Sequence, residues 1–461
     1  MSAKKSLVRA NFGSKIGLLL ATAGSAVGIG NIWRFPTTAG EGGGGAFILV
    51  YLLCVILLGI PMMVAEFAVG RRSGTNTAGA FRKLSNHPFW RNIGLLGVLT
   101  PWFIMCYYVV VSGWTLGYLF DTLSGTFQTL GRDASGETFA SHFTDFISSP
   151  WKPVVCMAAF VIASHFIITR GVERGIERFS KLLMPLLFII MLLLSVCSLF
   201  TDGAATGLSF LFKPDFSRLT PEVCLSALGQ AFYSMSIGMG VLCTYASYFN
   251  PKADLAGIAF RVSIIDTFVA ILAGVIIFPA VFSVGLQPDS GASLVFVALP
   301  DVFRDVFAGI PALGWIVSAM FYALLVLATL TSVISIHEVP TAWLTEELHI
   351  SRRLATSIVS GVCLVVGTAC ALSMGPLSWL TIGGKNLFDG FDWVASQVLL
   401  PLSGILVSSF VGWVMDRRIL RDELTNHGTL NYTGRRWLVW MLRYFVPIAI
   451  AAVFVSGLLN G

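Results

Sequence analysis

Apolar runs of 18 or more residues recur from one end of this chain to the other. Each is long enough to cross the hydrocarbon core of a bilayer as a helix, and no other feature restricts the fold so strongly. Composition points the same way: 56% of the residues are hydrophobic and 12% charged, against about 25% charged in a soluble protein. An ordinary core would not hide this much apolar surface, so lipid must solvate part of it. The 461 residues have length enough for about three soluble domains, but no polar stretch is long enough to be one. The chain reads as one all-α integral membrane domain over residues 1–461 with short loops.

The net charge of +6 does not point to nucleic acid, because the basic residues are scattered between the apolar runs. The cysteines (54, 106, 156, 197, 224, 243, 363 and 370) lie in or beside apolar segments and form no CxxC pair; they read as small buried hydrophobes. Lys4, Lys5 and Arg9 followed by an apolar run resemble a signal peptide. The run continues to Arg34 and Pro36 without a clear cleavage site, so it reads as the first membrane helix.

The pattern predicts eleven spans, at roughly 14–37, 46–70, 94–122, 153–169, 179–200, 222–248, 260–285, 311–344, 354–373, 390–415 and 437–459, each near the ~20 residues a crossing helix needs. The stretch 290–309 is shorter and carries Asp301, Arg304 and Asp305; it reads as a surface hairpin of helices. With the N-terminus inside, the inner segments hold 23 of the 30 lysines and arginines, the outer loops hold six, and Arg34 lies within the first span. That bias predicts a multi-pass cell-membrane protein, plasma or inner, with a cytoplasmic N-terminus and an outside C-terminus.

Spans one and six carry glycine pairs at mid-membrane: Gly28 and Gly30 in Gly24-Ser25-Ala26-Val27-Gly28-Ile29-Gly30-Asn31, and Gly238 and Gly240 in Ser234-Met235-Ser236-Ile237-Gly238-Met239-Gly240. Each glycine weakens a helix by about 1 kcal/mol relative to alanine. Unwound backbone at this depth is tolerated only where it lines a cavity or binds something. Glycines also let membrane helices pack closely, and on the glycines alone the two readings stand level. The two spans are five apart and so run in opposite directions, as in an inverted repeat. Interrupted helices at matching positions mark a transporter's binding site.

Charges within or at the ends of the spans add weight: Arg34, Glu66, Asp266 and Asp392 each cost at least about 2.5 kcal/mol to place there. Arg34 and Asp392, near the outer face, can instead snorkel or form a structural ion pair. Asp266, deeper and beside Ser263 and Thr267, calls for a cation.

The segment Ser25 to Pro36 (SAVGIGNIWRFP) resembles the first-helix signature of the neurotransmitter:sodium symporters. Similar matches are Glu41 to Phe47 (EGGGGAF), Gly59-Ile60-Pro61 with Glu66, Gly70-Arg71, Tyr107-Tyr108, Gly175 to Arg178, Gln230 to Gly240 and Thr244 to Tyr248. They cover nearly the whole chain in order. The resemblance implies the bacterial leucine transporter-like fold: two inverted five-helix repeats, about 10–200 and 220–415, and here an eleventh helix at about 437–459, where many relatives have twelve spans.

The resemblance implies two sodium sites. One takes carbonyls of Gly24, Val27 and Ala328 with the hydroxyls of Thr331 and Ser332. The other takes Ala26, Asn31, Ser234 and Asp266 with the substrate carboxylate. Thr331 and Ser332 alone would read as hydroxyls bonded to their own helix. Asparagine is commoner in relatives at Asp266. Four residues on, chloride-dependent relatives have serine where this chain has Ala270. Asp266 then supplies the negative charge, and no chloride is expected.

Around the substrate the resemblance places Ala26, Ile29, Gly30, Ile104, Tyr108, Tyr233, Ser234, Ser236, Met239, Ser332 and Ile336. Amides of span one and the Tyr108 hydroxyl would hold a carboxylate, and carbonyls of span six an ammonium. Monoamine transporters have aspartate where Gly28 stands, so an intact amino acid is expected. Ile104, Met239 and Ile336 give its side chain an apolar wall; each alone would read as ordinary packing. Tyr108 and Tyr233 would close over the substrate beneath Arg34 and Asp392, and Arg9 would pair with Glu346 on the inner side, near Tyr248. Gly175 and Pro185 bracket the start of span five, where they either let it unwind or mark a plain loop-to-helix boundary.

The expected function is a sodium-coupled symporter importing neutral, hydrophobic or aromatic L-amino acids by alternating access without chloride. A non-transporting amino-acid sensor on the same fold is the alternative. A channel is disfavoured by a pocket sized for a zwitterion. An enzyme is not expected: His337-Glu338 lacks the second histidine of HExxH, since Thr341 stands there, and the glycines 42–45 lack the GK[ST] of a phosphate loop.

Overall fold

The structure is a computed structural model that describes residues 11–130, 138–285 and 294–460. Among the described residues nine helices are long and apolar enough to cross a membrane. They are spans two (Gly45–Ser73), three (Pro88–Leu123), four (Lys152–Thr169), five (Val172–Leu199), seven (Leu255–Ser283), eight (Pro311–Glu347), nine (Arg352–Leu372), ten (Leu387–Val414) and eleven (Arg435–Leu459). Span one is a pair, Lys15–Ala26 and Gly30–Glu41, bent by 54°. Span six is also a pair, Pro221–Ser234 and Val241–Ala246, with residues 235–240 between them. Among the described residues the nine helices and the bent pair make ten spans, and the helices Pro221–Ser234 and Val241–Ala246 lie where the eleventh is expected.

The stretch expected to be a surface hairpin differs. Its described part is helical from Leu294–Ala298 into Leu299–Val306. Leu294, Phe296, Leu299 and Phe303 are buried along one side, and Tyr322 of span eight donates to the Val295 carbonyl at 2.9 Å. Its apolar face is too large to leave in water, so it lies down on the bundle. Residues 290–293 of that stretch lie outside the described residues. A two-stranded antiparallel hairpin, Thr381–Ile382 with Lys385–Asn386, joins spans nine and ten.

Spans one, two and six pack on one another with span seven against spans one and two, and spans three, four, eight and nine pack on one another. Burial follows. Spans three and seven are 72% buried along their most apolar stretch, against 39% for spans four and five and 33% for span eleven, which therefore face lipid. The two breaks lie between the two groups.

The glycines at the breaks do different work. In span six Gly238 (φ 79°) and Gly240 (φ 67°) take the left-handed backbone that ends and restarts the helix, which costs little only without a Cβ. In span one the backbone turns at Val27 instead (φ −69°, ψ 111°), and Gly28 serves approach: a Cβ there would lie 2.5 Å from Ser332 Oγ and 3.2 Å from the Tyr108 hydroxyl. The unwinding reading therefore holds for span six's glycines, and the close-approach reading for Gly28.

Candidate substrate and ion site

At the first break the helix stops at Ala26. Gly28 N–H then donates to Asn31 Oδ1 at 3.1 Å, so the Asn31 side chain holds the turn. Its Nδ2 donates to Ser234 Oγ at 3.0 Å and to Asp266 Oδ1 at 2.7 Å. Asp266 Oδ2 accepts from Ser234 Oγ at 2.9 Å and from the Tyr51 hydroxyl at 3.3 Å. Asp266 has no exposed surface, and among the described residues no basic side chain lies within ion-pair distance of it. Its carboxylate rests on three neutral donors, an arrangement that leaves a buried charge uncompensated. The expected cation partner is therefore not a side chain.

Four residues of the other expected ion site lie together. Thr331 Oγ1 lies 2.9 Å from the Ala328 carbonyl and 3.5 Å from that of Val27. Ser332 Oγ lies 3.4 Å from the Val27 carbonyl. Gly24 packs alongside: a Cβ on it would meet Met184 Sδ at 3.3 Å and the Thr331 Cβ at 3.5 Å. Two carbonyls, of Val27 in span one and Ala328 in span eight, thus lie beside two hydroxyls, the hard-oxygen chemistry that an alkali cation takes at a broken helix. The Thr331 hydroxyl bonds both its own helix and the facing one, whereas Ser332 Oγ reaches the facing Val27 carbonyl, so the local-bond reading of Thr331 is true but incomplete.

Above these sites opens a cleft of about 430 Å³. Ile29, Gly30, Tyr108 and Tyr233 line it, as expected, with Arg34 and Asp392. The other expected substrate residues, Ala26, Ile104, Ser234, Ser236, Met239, Ser332 and Ile336, are buried below, each 7% exposed or less. The Ile29 amide faces the Tyr108 hydroxyl at 3.4 Å. Ser236 Oγ donates to the Ser25 carbonyl at 2.7 Å, tying the two breaks together. Arg34 and Asp392 share the cleft without an ion pair; the Arg34 guanidinium lies 4.4 Å from the Tyr233 ring centre. The cleft is open at this end.

The opposite end is shut. Phe12 N–H donates to the Tyr248 carbonyl at 3.1 Å, and its ring packs against Tyr245 at 5.9 Å. Glu177 accepts from Gly13 N–H at 2.6 Å and Ser14 Oγ at 2.8 Å, and pairs with Lys181 at 2.6 Å. Glu346 accepts from Thr75 Oγ1 at 2.8 Å and from Asn76 N–H at 2.7 Å. Its expected partner Arg9 lies outside the described residues. Gly175 sits in a π-helical turn, Val172–Glu177, at the head of span five, and Pro185 lies inside the helix that follows.

Three working residues carried no role in the sequence reading. Tyr51 reaches Asp266 from span two, and its hydroxyl in the middle of an apolar run was the available signal. Gln230 Nε2 donates to the Gly30 carbonyl at 3.0 Å. Glu66, 2% exposed, accepts from Gly238 N–H at 2.7 Å and so satisfies an amide freed by the second break.

The sequence matches the family model described as Sodium:neurotransmitter symporter family over residues 9–142 and 137–460. It is 38% identical over 445 residues to a sodium-dependent transporter of Bacillus subtilis, covering 96% of each chain. It is 34% identical to a sodium-dependent transporter of Haemophilus influenzae, covering 98% of each. The crystal structure of MhsT in complex with L-phenylalanine superposes with a TM-score of 0.86 at 42% identity, over 97% of this chain and 100% of that one. With the leucine-transporter fold, the two broken spans and the oxygen-lined sites, this chain belongs to the bacterial branch of the sodium:neurotransmitter symporter family and is a sodium-dependent membrane transporter, not an enzyme.

Proposed function

We propose that the chain imports neutral amino acids with apolar or aromatic side chains, coupled to two sodium ions and independent of chloride. The observation that carries this reading is Asp266: a fully buried carboxylate with three neutral donors and, among the described residues, no basic neighbour. A sodium ion held by Ala26, Asn31, Ser234 and Asp266 compensates that charge. A second ion at Gly24, Val27, Ala328, Thr331 and Ser332 fixes the bend of span one against span eight. Ala270, one turn beyond Asp266 and fully buried, offers an anion no hydroxyl.

The substrate carboxylate faces the Ile29 amide, the Tyr108 hydroxyl and the first sodium ion. Gly28 leaves no room for a protein carboxylate in that place, so the anion must arrive with the substrate. Carbonyls freed at residues 235–240 take the ammonium, and Ile104, Met239 and Ile336 take the side chain, Met239 adapting to its shape. The phenylalanine bound by MhsT is of this class.

With the N-terminus cytoplasmic in the cell membrane, the cleft faces outward. Residues 10–200 and 220–415 act as the two repeats and 437–459 as the added helix. Closure brings Tyr108 and Tyr233 over the substrate and draws Arg34 to Asp392. Opening of the inner side breaks the Phe12, Glu177 and Glu346 contacts, with the turn at Gly175 unwinding span five. Uptake of labelled amino acids into proteoliposomes tests this. Accumulation of phenylalanine or leucine is expected with external sodium in either chloride or gluconate. Equal uptake in sodium and potassium would refute the coupling, preference for a decarboxylated amine would refute the pocket, and binding without flux would leave a sensor.

A further inference from the structure

Spans ten and eleven meet at one end in a groove of about 500 Å³ lined by Arg417, Arg418, Arg421, Arg435, Arg436 and Arg443. No acidic side chain lines it among the described residues. Arg421 pairs with Asp422 at 3.3 Å. Arg443 donates to the Gly412 carbonyl and lies 4.9 Å from the Trp413 ring centre. The other four, Arg417, Arg418, Arg435 and Arg436, have no carboxylate within 4.0 Å among the described residues. Four such guanidiniums turned to one space repel one another unless an anion joins them, and the planar fork of arginine matches phosphate oxygens bidentately.

What lies beside the groove selects the source of the anion. Trp440 and Tyr444 form its wall and are 52% and 43% exposed, as aromatic side chains are at a membrane interface. From them one face of span eleven continues as an exposed apolar stripe: Ile448 at 68%, Val455 at 52% and Leu459 at 79%, at helical spacing from Trp440 and Tyr444. A cationic groove thus opens at the head of a hydrocarbon-facing track. We propose that it binds the phosphate of an acidic phospholipid, whose acyl chains run down the exposed face of span eleven. A soluble phosphate would use the arginines but not the track.

The full-length transporter, extracted from vesicles of equimolar phosphatidylglycerol and phosphatidylcholine, is examined by native mass spectrometry for retained lipid. The wild type is expected to keep phosphatidylglycerol in preference to phosphatidylcholine. An arginine near an anionic surface strengthens binding by a factor of about five. The variant Arg417→Gln/Arg418→Gln/Arg435→Gln/Arg436→Gln is therefore expected to lose more than about tenfold of that preference. A control, Lys252→Gln/Arg261→Gln, keeps it. Sodium-dependent amino-acid binding reports that each variant is folded. If the fourfold variant does not fold, Arg417→Gln/Arg418→Gln and Arg435→Gln/Arg436→Gln are measured separately, each losing at least about fivefold. Equal phosphatidylglycerol retention in wild type and variants overturns the proposal. So does displacement of the lipid by millimolar inorganic phosphate or pyrophosphate, which would assign the arginines to a soluble anion.

Discussion

Replacing Asp266 by asparagine is expected to weaken sodium binding by up to about a thousandfold. The change is nearly isosteric and the site has no exposed surface, so little packing is lost. What it removes is the only formal charge in a cluster whose other members, Asn31, Ser234 and Tyr51, donate neutral hydrogen bonds to it. Two unit charges about 4 Å apart interact by about 4 kcal/mol at an effective dielectric of about 20. At 1.4 kcal/mol per tenfold that sets a ceiling near three orders of magnitude, reduced by the amide oxygen that remains a ligand. The measurement is a sodium titration of labelled phenylalanine binding to purified protein, in chloride and in gluconate. The wild type should give the same midpoint in both. Adding Ala270→Ser to Asp266→Asn should restore affinity in chloride alone, because the hydroxyl one turn along span seven gives an anion a donor beside the vacated charge. An Asp266→Asn protein with wild-type sodium affinity, or a wild type that strictly needs chloride, refutes the reasoning.

Gly28→Asp is expected to lower amino-acid uptake more than tenfold, since even its Cβ would stand 2.5 Å from Ser332 Oγ; wild-type uptake would show that the substrate carboxylate sits elsewhere. Arg34→Ala and Asp392→Ala should each slow transport severalfold while sodium binding to detergent-purified protein is partly kept, and wild-type transport rates in both would remove them from the gate. Glu66→Ala strands the Gly238 amide in the membrane interior, where an unmet donor costs about 1–3 kcal/mol; a lowered thermal-unfolding midpoint is expected, and an unchanged one would mean that water replaces the carboxylate.

The spans and the break of span six were legible because each is written in local residue types. A run of apolar residues must become a helix in lipid, glycines 238 and 240 permit a backbone that other residues resist, and Asp266 stands out by its charge. Pairings across the fold left no such mark. Tyr51 and Asp266 are 215 residues apart, and Gly238 and Glu66 are 172 apart; neither pair has a periodicity that announces it. Each pair nevertheless follows from one rule, that every polar group buried in the membrane, whether on a side chain or freed at a break, must be met from elsewhere in the fold. Under that rule the unassigned polar residues of an apolar helix become predictions about its neighbours: Tyr51 and Glu66 of span two each face a polar group of span seven or six. Span two therefore belongs to the proposed ion site as much as the broken helices do, since it contacts the carboxylate of Asp266 from one end and the turn at Gly238 from the other. A substitution in span two that never touches substrate should then shift the sodium dependence of uptake. Tyr51→Phe, which removes one of three donors to Asp266 and keeps the ring packed on Phe35 and Phe47, is the mildest such change. It should alter sodium affinity by a few-fold without lowering the amount of folded protein.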